Sequence, residues 1–179
     1  MDEARSAGLR SFENAAWSRW FARVWIDYLL LNIAVGLAIG FVAPDSALLT
    51  EDFTFVLIFL NAALWVPIEA VLVARSGRTP GKWLLGLRVV KNDGSRTSFS
   101  EALARSAAAW MVGCAFLFPL VFLFTMDAQY KRVRAGRPAS WDEKRGFVVE
   151  AAPLSGAQIR TVVVVVLALV AVRFYAAGL

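Results

Sequence analysis

Arg19-Trp20-Phe21-Ala22-Arg23-Val24-Trp25-Ile26-Asp27, followed by an apolar run from Tyr28 to Val42 that only Asn32 interrupts, is the stretch that decides how this chain must be read. Arg19, Arg23 and Asp27 fall at i, i+4 and i+8, so a helix carries all three on one stripe. From about Trp20 to Val42 the segment is long enough to cross a bilayer. Charges at membrane depth are expensive and seldom face lipid. The stripe must therefore meet partners on other helices, and function is to be sought among those partners.

The composition agrees with a membrane setting. The chain has 179 residues, 59% of them hydrophobic, and a mean hydropathy of +0.59, too apolar for an ordinary soluble domain. Net charge is +5, but the basic residues collect between the apolar runs, which favours anionic lipid head groups as partners and argues against nucleic acid. No histidine is present and Cys114 is the only cysteine, so imidazole catalysis, the usual nucleophile triads, zinc spacing and an intramolecular disulfide are excluded. We expect no enzyme, no metal and no cofactor. The charged, Arg-containing N-terminus leads into an apolar run that is too long for a secretory signal and lacks a small-residue cleavage site, and it reads as an uncleaved anchor.

Gly36 and Gly40 form a small-xxx-small face suited to helix packing. Ala43 to Asp52 holds Pro44, Asp45, Glu51 and Asp52 without a Lys or Arg, and Phe53 to Ala74 is a second span broken only by Asn61, Pro67 and Glu69. The next loop, Arg75 to Ser98, holds six basic residues, which puts it and the N-terminus on the cytoplasmic side and the acidic loop outside. Within it Leu84 to Val90, before Asn92-Asp93-Gly94, reads as a strand. Gly146 to Val149 reads as a second strand able to pair with it, provided both lie on one side of the membrane.

Ser98-Phe99-Ser100-Glu101 is a capping box that starts a helix. If Ala102 to Met126 crossed once, the basic segment from Lys131 to Arg160 would lie outside. An element that enters, turns around Gly113 to Pro119 and returns satisfies the charge rule better. Thr161 to Leu179 reads as a terminal span with Arg173 snorkelling near its end. The expected fold is an all-α membrane protein of three to four membrane-embedded helical elements with a small cytoplasmic β-hairpin or sheet.

Four stretches carry a likeness to a known family: Ala22 to Tyr28; Trp65-Val66-Pro67-Ile68-Glu69-Ala70; Thr79-Pro80-Gly81-Lys82-Trp83-Leu84-Leu85-Gly86-Leu87-Arg88-Val89; and Ser140-Trp141-Asp142 leading to Gly146-Phe147-Val148-Val149. Together they resemble the RDD family of small bacterial membrane proteins, named for an arginine and two aspartates. The arginine-to-aspartate spacing in the first span is about one residue longer than the family's usual pattern, so both Arg19 and Arg23 stand as its arginine. The likeness covers roughly Ser11 to Glu150, so the expected organisation is residues 1–16 as a cytoplasmic N-terminus, 17–152 as the RDD-like membrane domain and 153–179 as a linker and an additional span that the family pattern does not require, in a multi-pass protein of the bacterial inner membrane. Transport of ions or small solutes is the activity suggested for the family.

Depth gathers the charges. At about 1.5 Å per residue, Asp27 lies roughly 6 Å beyond Arg23 and Glu69 roughly 9 Å from Arg75, both from the cytoplasmic face. Arg105 and Asp127 join that level if the third element re-enters, and Asp142 follows from the family motif. Two readings of the cluster compete. In one, Asp27 or Glu69 exchanges a proton or monovalent cation and the chain is a transporter. In the other, the cluster is an ion-paired clasp, with Asp27 partnered by an arginine, in an accessory protein that binds lipid, a protein partner or a second copy. Gly77 to Lys82 lacks the spacing of a phosphate-binding loop, and Pro80 and Gly81 predict a tight turn that ends the second span. Trp17, Trp20 and Trp83 suit the membrane interface, and Trp65 and Trp110 suit packing.

Overall fold

The computed structural model describes residues 12–46, 53–113 and 119–176. The expectations for residues 1–11, for Glu51 and Asp52, for Cys114 and for the side chain of Arg173 lie outside the described set.

Helix α1, Phe12–Phe21, continues without a break through a π-helical stretch, Ala22–Asp27, into α2, Tyr28–Val42. A π turn takes in one residue more than an α turn. The longer spacing in the first span is thus absorbed locally, and Arg23 and Asp27 are both buried at the widened turn. Helix α3, Thr54–Ser76, runs through Pro67 and ends at Gly77, whose φ of 71° closes the helix with its N–H on the Val73 carbonyl. Ala16–Val42 and Phe55–Ser76 are the described helices long and apolar enough to cross a membrane. Phe41, Phe55 and Leu37 on them are largely exposed, the apolar surface that lipid would cover. A side chain built at Gly36 or Gly40 would meet nothing within 4 Å among the described residues, so none of the described residues packs on the small-residue face predicted to pack.

After Gly77 the chain forms α4, Pro80–Leu84, then β1, Leu87–Lys91. Helix α5, Phe99–Ala108, starts at the capping box, with Ser98 and Glu101 satisfying each other's backbone N–H groups, and runs into a second π stretch, Ala109–Gly113. Helix α6 is Pro119–Arg134, α7 Ser140–Glu143, β2 Phe147–Ala151 and α8 Gly156–Ala176. The apolar part of α8, Gly156–Val172, is shorter than the two long helices.

The path between the strands reverses. Thr125 Oγ1 donates to the Gly113 carbonyl at 3.0 Å, whereas a straight helix would separate residues twelve apart by about 18 Å. Val133, further along α6, packs against Ala16 at the start of the first long helix. β1 and β2 pair antiparallel with Val89 opposite Val149, so whatever course residues 92–146 take, they end on the face where they began. Residues 114–118, where the sequence predicts the turn, lie outside the described residues.

Alternation along the strands buries Leu87, Val89, Phe147, Val149 and Ala151 on one face. That face meets Ala22 and Ile26 of the first long helix, Ala70 and Val73 of α3, and Ala102 of α5 in one core. A second core, nearer the middle of the long helices, gathers Leu31, Ala62, Trp65 and Trp110. The charged residues lie beside the first.

Candidate functional site

Asp27 is fully buried, and its ligands come from the loop after α3. Thr79 Oγ1 donates to Asp27 Oδ2 at 2.5 Å, and the Gly81 backbone N–H donates to Oδ1 at 2.6 Å. Thr79 is the N-cap of α4 and Pro80 its N1 residue, a sequence that presets the first turn. Gly81 is required by proximity: a Cβ there would lie 2.5 Å from the Ala22 carbonyl oxygen and 2.9 Å from Asp27 Oδ1. Pro80 and Gly81 therefore do not form the predicted span-ending turn, which is Gly77's work. They open a helix that is pressed against the carboxylate.

Glu69, also fully buried, is the anionic centre. Its Oε1 accepts from Arg23 Nη2 at 2.9 Å and from Lys82 Nζ at 2.8 Å, and Arg105 Nη1 stands 3.7 Å away. These cations arrive from the π turn, from α4 and from α5, so one carboxylate ties three elements to α3. Burial pulls the Lys82 ammonium below its ordinary range, while the Glu69 and Asp27 carboxylates hold it back up.

Arg105 reaches the other way as well. Its Nε donates to Asp142 Oδ1 at 2.7 Å, and its guanidinium lies over the Phe147 ring. Asp142 sits on α7, a single turn that can approach because Gly113 has no side chain: a Cβ there would lie 2.5 Å from the Trp141 ring. Arg23 faces that same Trp141 ring, 5.7 Å from its centre. Arg19 Nη2 donates to the Val149 carbonyl at 3.0 Å, joining the first long helix to the sheet.

Of the residues singled out in the sequence, Arg19, Arg23, Asp27, Glu69, Arg105 and Asp142 converge here. Asp127 does not. It is exposed on α6 and pairs with Lys131 one turn on, at 2.7 Å, because α6 turns that face outward. The expected arginine partner of Asp27 is also corrected: a hydroxyl and a backbone N–H hold it, and Arg23 goes to Glu69. Thr79 and Lys82 are site residues that sequence reasoning left in the basic loop. The N-cap signature of Thr79-Pro80 was legible, but nothing local marks a lysine for burial. Among the described residues, no group of three or more His, Cys, Asp or Glu side chains could hold a metal ion.

No curated protein and no solved structure matches the chain. The sequence does match the RDD family over residues 14–142, and with two long apolar helices this points to a membrane protein. The match spans every charged residue of the cluster, from Arg19 on the first long helix to Asp142 on α7, and the chain belongs to the RDD family.

Proposed function

We propose that the chain is a non-transporting membrane accessory protein whose buried charges form a clasp. The clasp holds the Thr79–Lys82 segment, α5 and α7 onto the ends of two membrane spans. The observation that supports this most is the commitment of the carboxylates. Both oxygens of Asp27 are held, by Thr79 and Gly81, and Glu69 Oε1 is held by Arg23 and Lys82 with Arg105 close by, while Glu69 Oε2 is buried and accepts no hydrogen bond among the described residues. A carboxylate that exchanges a proton or cation needs a ligand-facing side and a charge state that changes under working conditions. Glu69 Oε1 instead meets fixed cations from three elements.

On this reading the clasp positions a basic surface. Arg75, Arg88, Lys91 and Arg96 line an open cleft beside β1, and Lys131 is exposed at the end of α6. The N-terminus and this surface face the cytoplasm of a bacterial inner membrane, where anionic head groups lie within reach.

A flux measurement decides between clasp and transporter. Purified protein in proteoliposomes under imposed Na⁺, K⁺ or H⁺ gradients is expected to show no movement above empty vesicles, and Glu69→Gln is expected to lower thermal stability. A cation or proton flux that disappears in a well-folded Glu69→Gln protein would overturn the clasp.

A further inference from the structure

The open cleft beside β1 has a volume of about 780 Å³. Its walls are the last turn of α3, residues 73–77, on one side, and β1 with residues 94–97 on the other. Charge and level decide what such a cleft can take.

Three of its four cations are uncommitted. Lys91 Nζ already meets Glu101 at 2.8 Å and Asp93 at 3.8 Å. Arg75, Arg88 and Arg96 are exposed, and none has a side-chain hydrogen bond or ion pair among the described residues. Arg88 is aimed. A Cβ at Gly77 would lie 3.1 Å from Arg88 Cγ and 3.3 Å from its Nε, so that side chain lies folded across Gly77, whose backbone lines the cleft at the end of α3. Glu150, opposite Arg88 in the strand pairing, is the one acid among the described lining residues. With Lys91 met by its own acids, three guanidinium groups against one carboxylate leave a balance of +2 within the lining.

The α3 wall is the last turn of the apolar stretch Phe55–Ser76, so the cleft opens where hydrocarbon gives way to head groups. Trp83, 64% exposed on α4 just beyond Gly77, suits the same level. Leu60, Leu64 and Ile68 are exposed at i, i+4 and i+8 on α3, a stripe that Arg75 extends toward the cleft. An acidic peptide would use the cations and leave that stripe idle. A phospholipid uses both, with phosphates in the cleft and acyl chains along the stripe.

We propose that the cleft binds one phospholipid molecule carrying two phosphates on a short glycerol bridge, with Arg75, Arg88 and Arg96 as its donors. The planar fork of arginine matches phosphate oxygens in pairs, and two phosphates complement the balance of charge. The assignment rests on the reading that this basic surface faces the cytoplasmic leaflet, and adds to it a single site and a lipid class.

The test uses the full chain in nanodiscs of phosphatidylcholine that contain either cardiolipin or phosphatidylglycerol, matched in total charge. A ligand that binds only the folded protein raises its melting temperature with concentration. Cardiolipin is expected to raise it more than phosphatidylglycerol does at equal charge, and native mass spectra are expected to retain one cardiolipin per chain. Arg75→Gln, Arg88→Gln and Arg96→Gln should each require roughly fivefold more cardiolipin for the same rise. Lys131→Gln, on the basic surface outside the cleft, should weaken the two lipids alike. Equal stabilisation by both lipids, or a cardiolipin effect unchanged in all three arginine variants, would overturn the site and leave the basic surface standing. Inorganic phosphate that stabilises pure phosphatidylcholine discs as well as cardiolipin does would overturn the lipid assignment. No response to any anionic lipid would overturn the site and the basic-surface reading together.

Discussion

Two levels of the long-helix pair are joined by different chemistry. At the sheet end, Arg23 meets Glu69 across the helices and Asp27 is tied to the loop that follows α3. At the middle of the pair, Asn61 Nδ2 donates to Asn32 Oδ1 at 2.7 Å, Asn32 donates in turn to the Tyr28 carbonyl, and the Tyr28 hydroxyl donates to the Ile58 carbonyl. The cluster's charges gather at the level where cations from three elements can surround a carboxylate. The middle level uses neutral amides and close packing, which a bilayer tolerates without partners of opposite sign. Geometry at the charged level is therefore over-determined, and at the neutral level it is not.

Substitution at Glu69 breaks this contrast most. Glu69→Gln keeps the shape but removes the carboxylate charge that Arg23, Lys82 and Arg105 share, and removing one partner of a buried ion pair costs about 3–5 kcal/mol. Thermal unfolding in a mild detergent should show the largest loss of any single change in the molecule. A shift no greater than that of a variant at the neutral level would mean that the clasp contributes little.

Gly81→Ala tests the second attachment. Its Cβ would overlap the Ala22 carbonyl and the Asp27 carboxylate, so α4 must move and at least one of the hydrogen bonds to Asp27 must lengthen. Overpacking of this kind costs about 1–3 kcal/mol. Exchanging Arg23 and Asp27 should not rescue stability, because the two do not pair with each other. Unfolding curves of the exchanged protein that match wild type would reject the described partnership.

At the neutral middle level, Asn61→Leu removes one interhelical hydrogen bond where the alternative is packing. Such bonds average about 0.6 kcal/mol in membrane proteins, so the loss should stay below about 1 kcal/mol. A larger loss would show that the amide pair, and not only the clasp, sets the register of the two spans.

The sequence revealed these features unevenly. The long helices, the capping box and the two strands were legible because each is written in local periodicity or in a short signature: apolar runs for α2 and α3, Ser98 and Glu101 for α5, alternating burial for Leu87, Val89, Phe147 and Val149. Most of the cluster was legible too, since intramembrane charges demand partners. What stayed hidden depends on tertiary placement. Lys82 reads as one more basic loop residue until α4 is folded back against α3, and Asp127 reads as part of the cluster until the outward face of α6 is known. The family's motif around Thr79 to Lys82 carries no hint of its own that a glycine N–H and a threonine hydroxyl serve an aspartate 52 and 54 residues earlier.

The smallest effect lies outside the clasp, at the start of α5, and it sharpens the comparison by showing what an exposed acid contributes. Glu101 accepts from Lys91 Nζ at 2.8 Å, from the Ser98 backbone N–H at 2.9 Å and from the Ser98 hydroxyl at 2.7 Å. The lysine contact first, and then the serine contacts, lower its carboxyl from 4.5 to about 2. A carboxyl depressed on folding adds stability that is present above its unfolded value and disappears as the pH falls toward its folded one. The contribution should thus be complete near neutrality, decline below about pH 4.5 and be gone near pH 2. Glu101→Gln keeps the capping geometry but cannot titrate, so melting temperatures of the two proteins measured from pH 6 to pH 3 should converge as the solution is acidified. Curves that stay parallel over that range would show that the charge on Glu101 adds nothing beyond its hydrogen bonds.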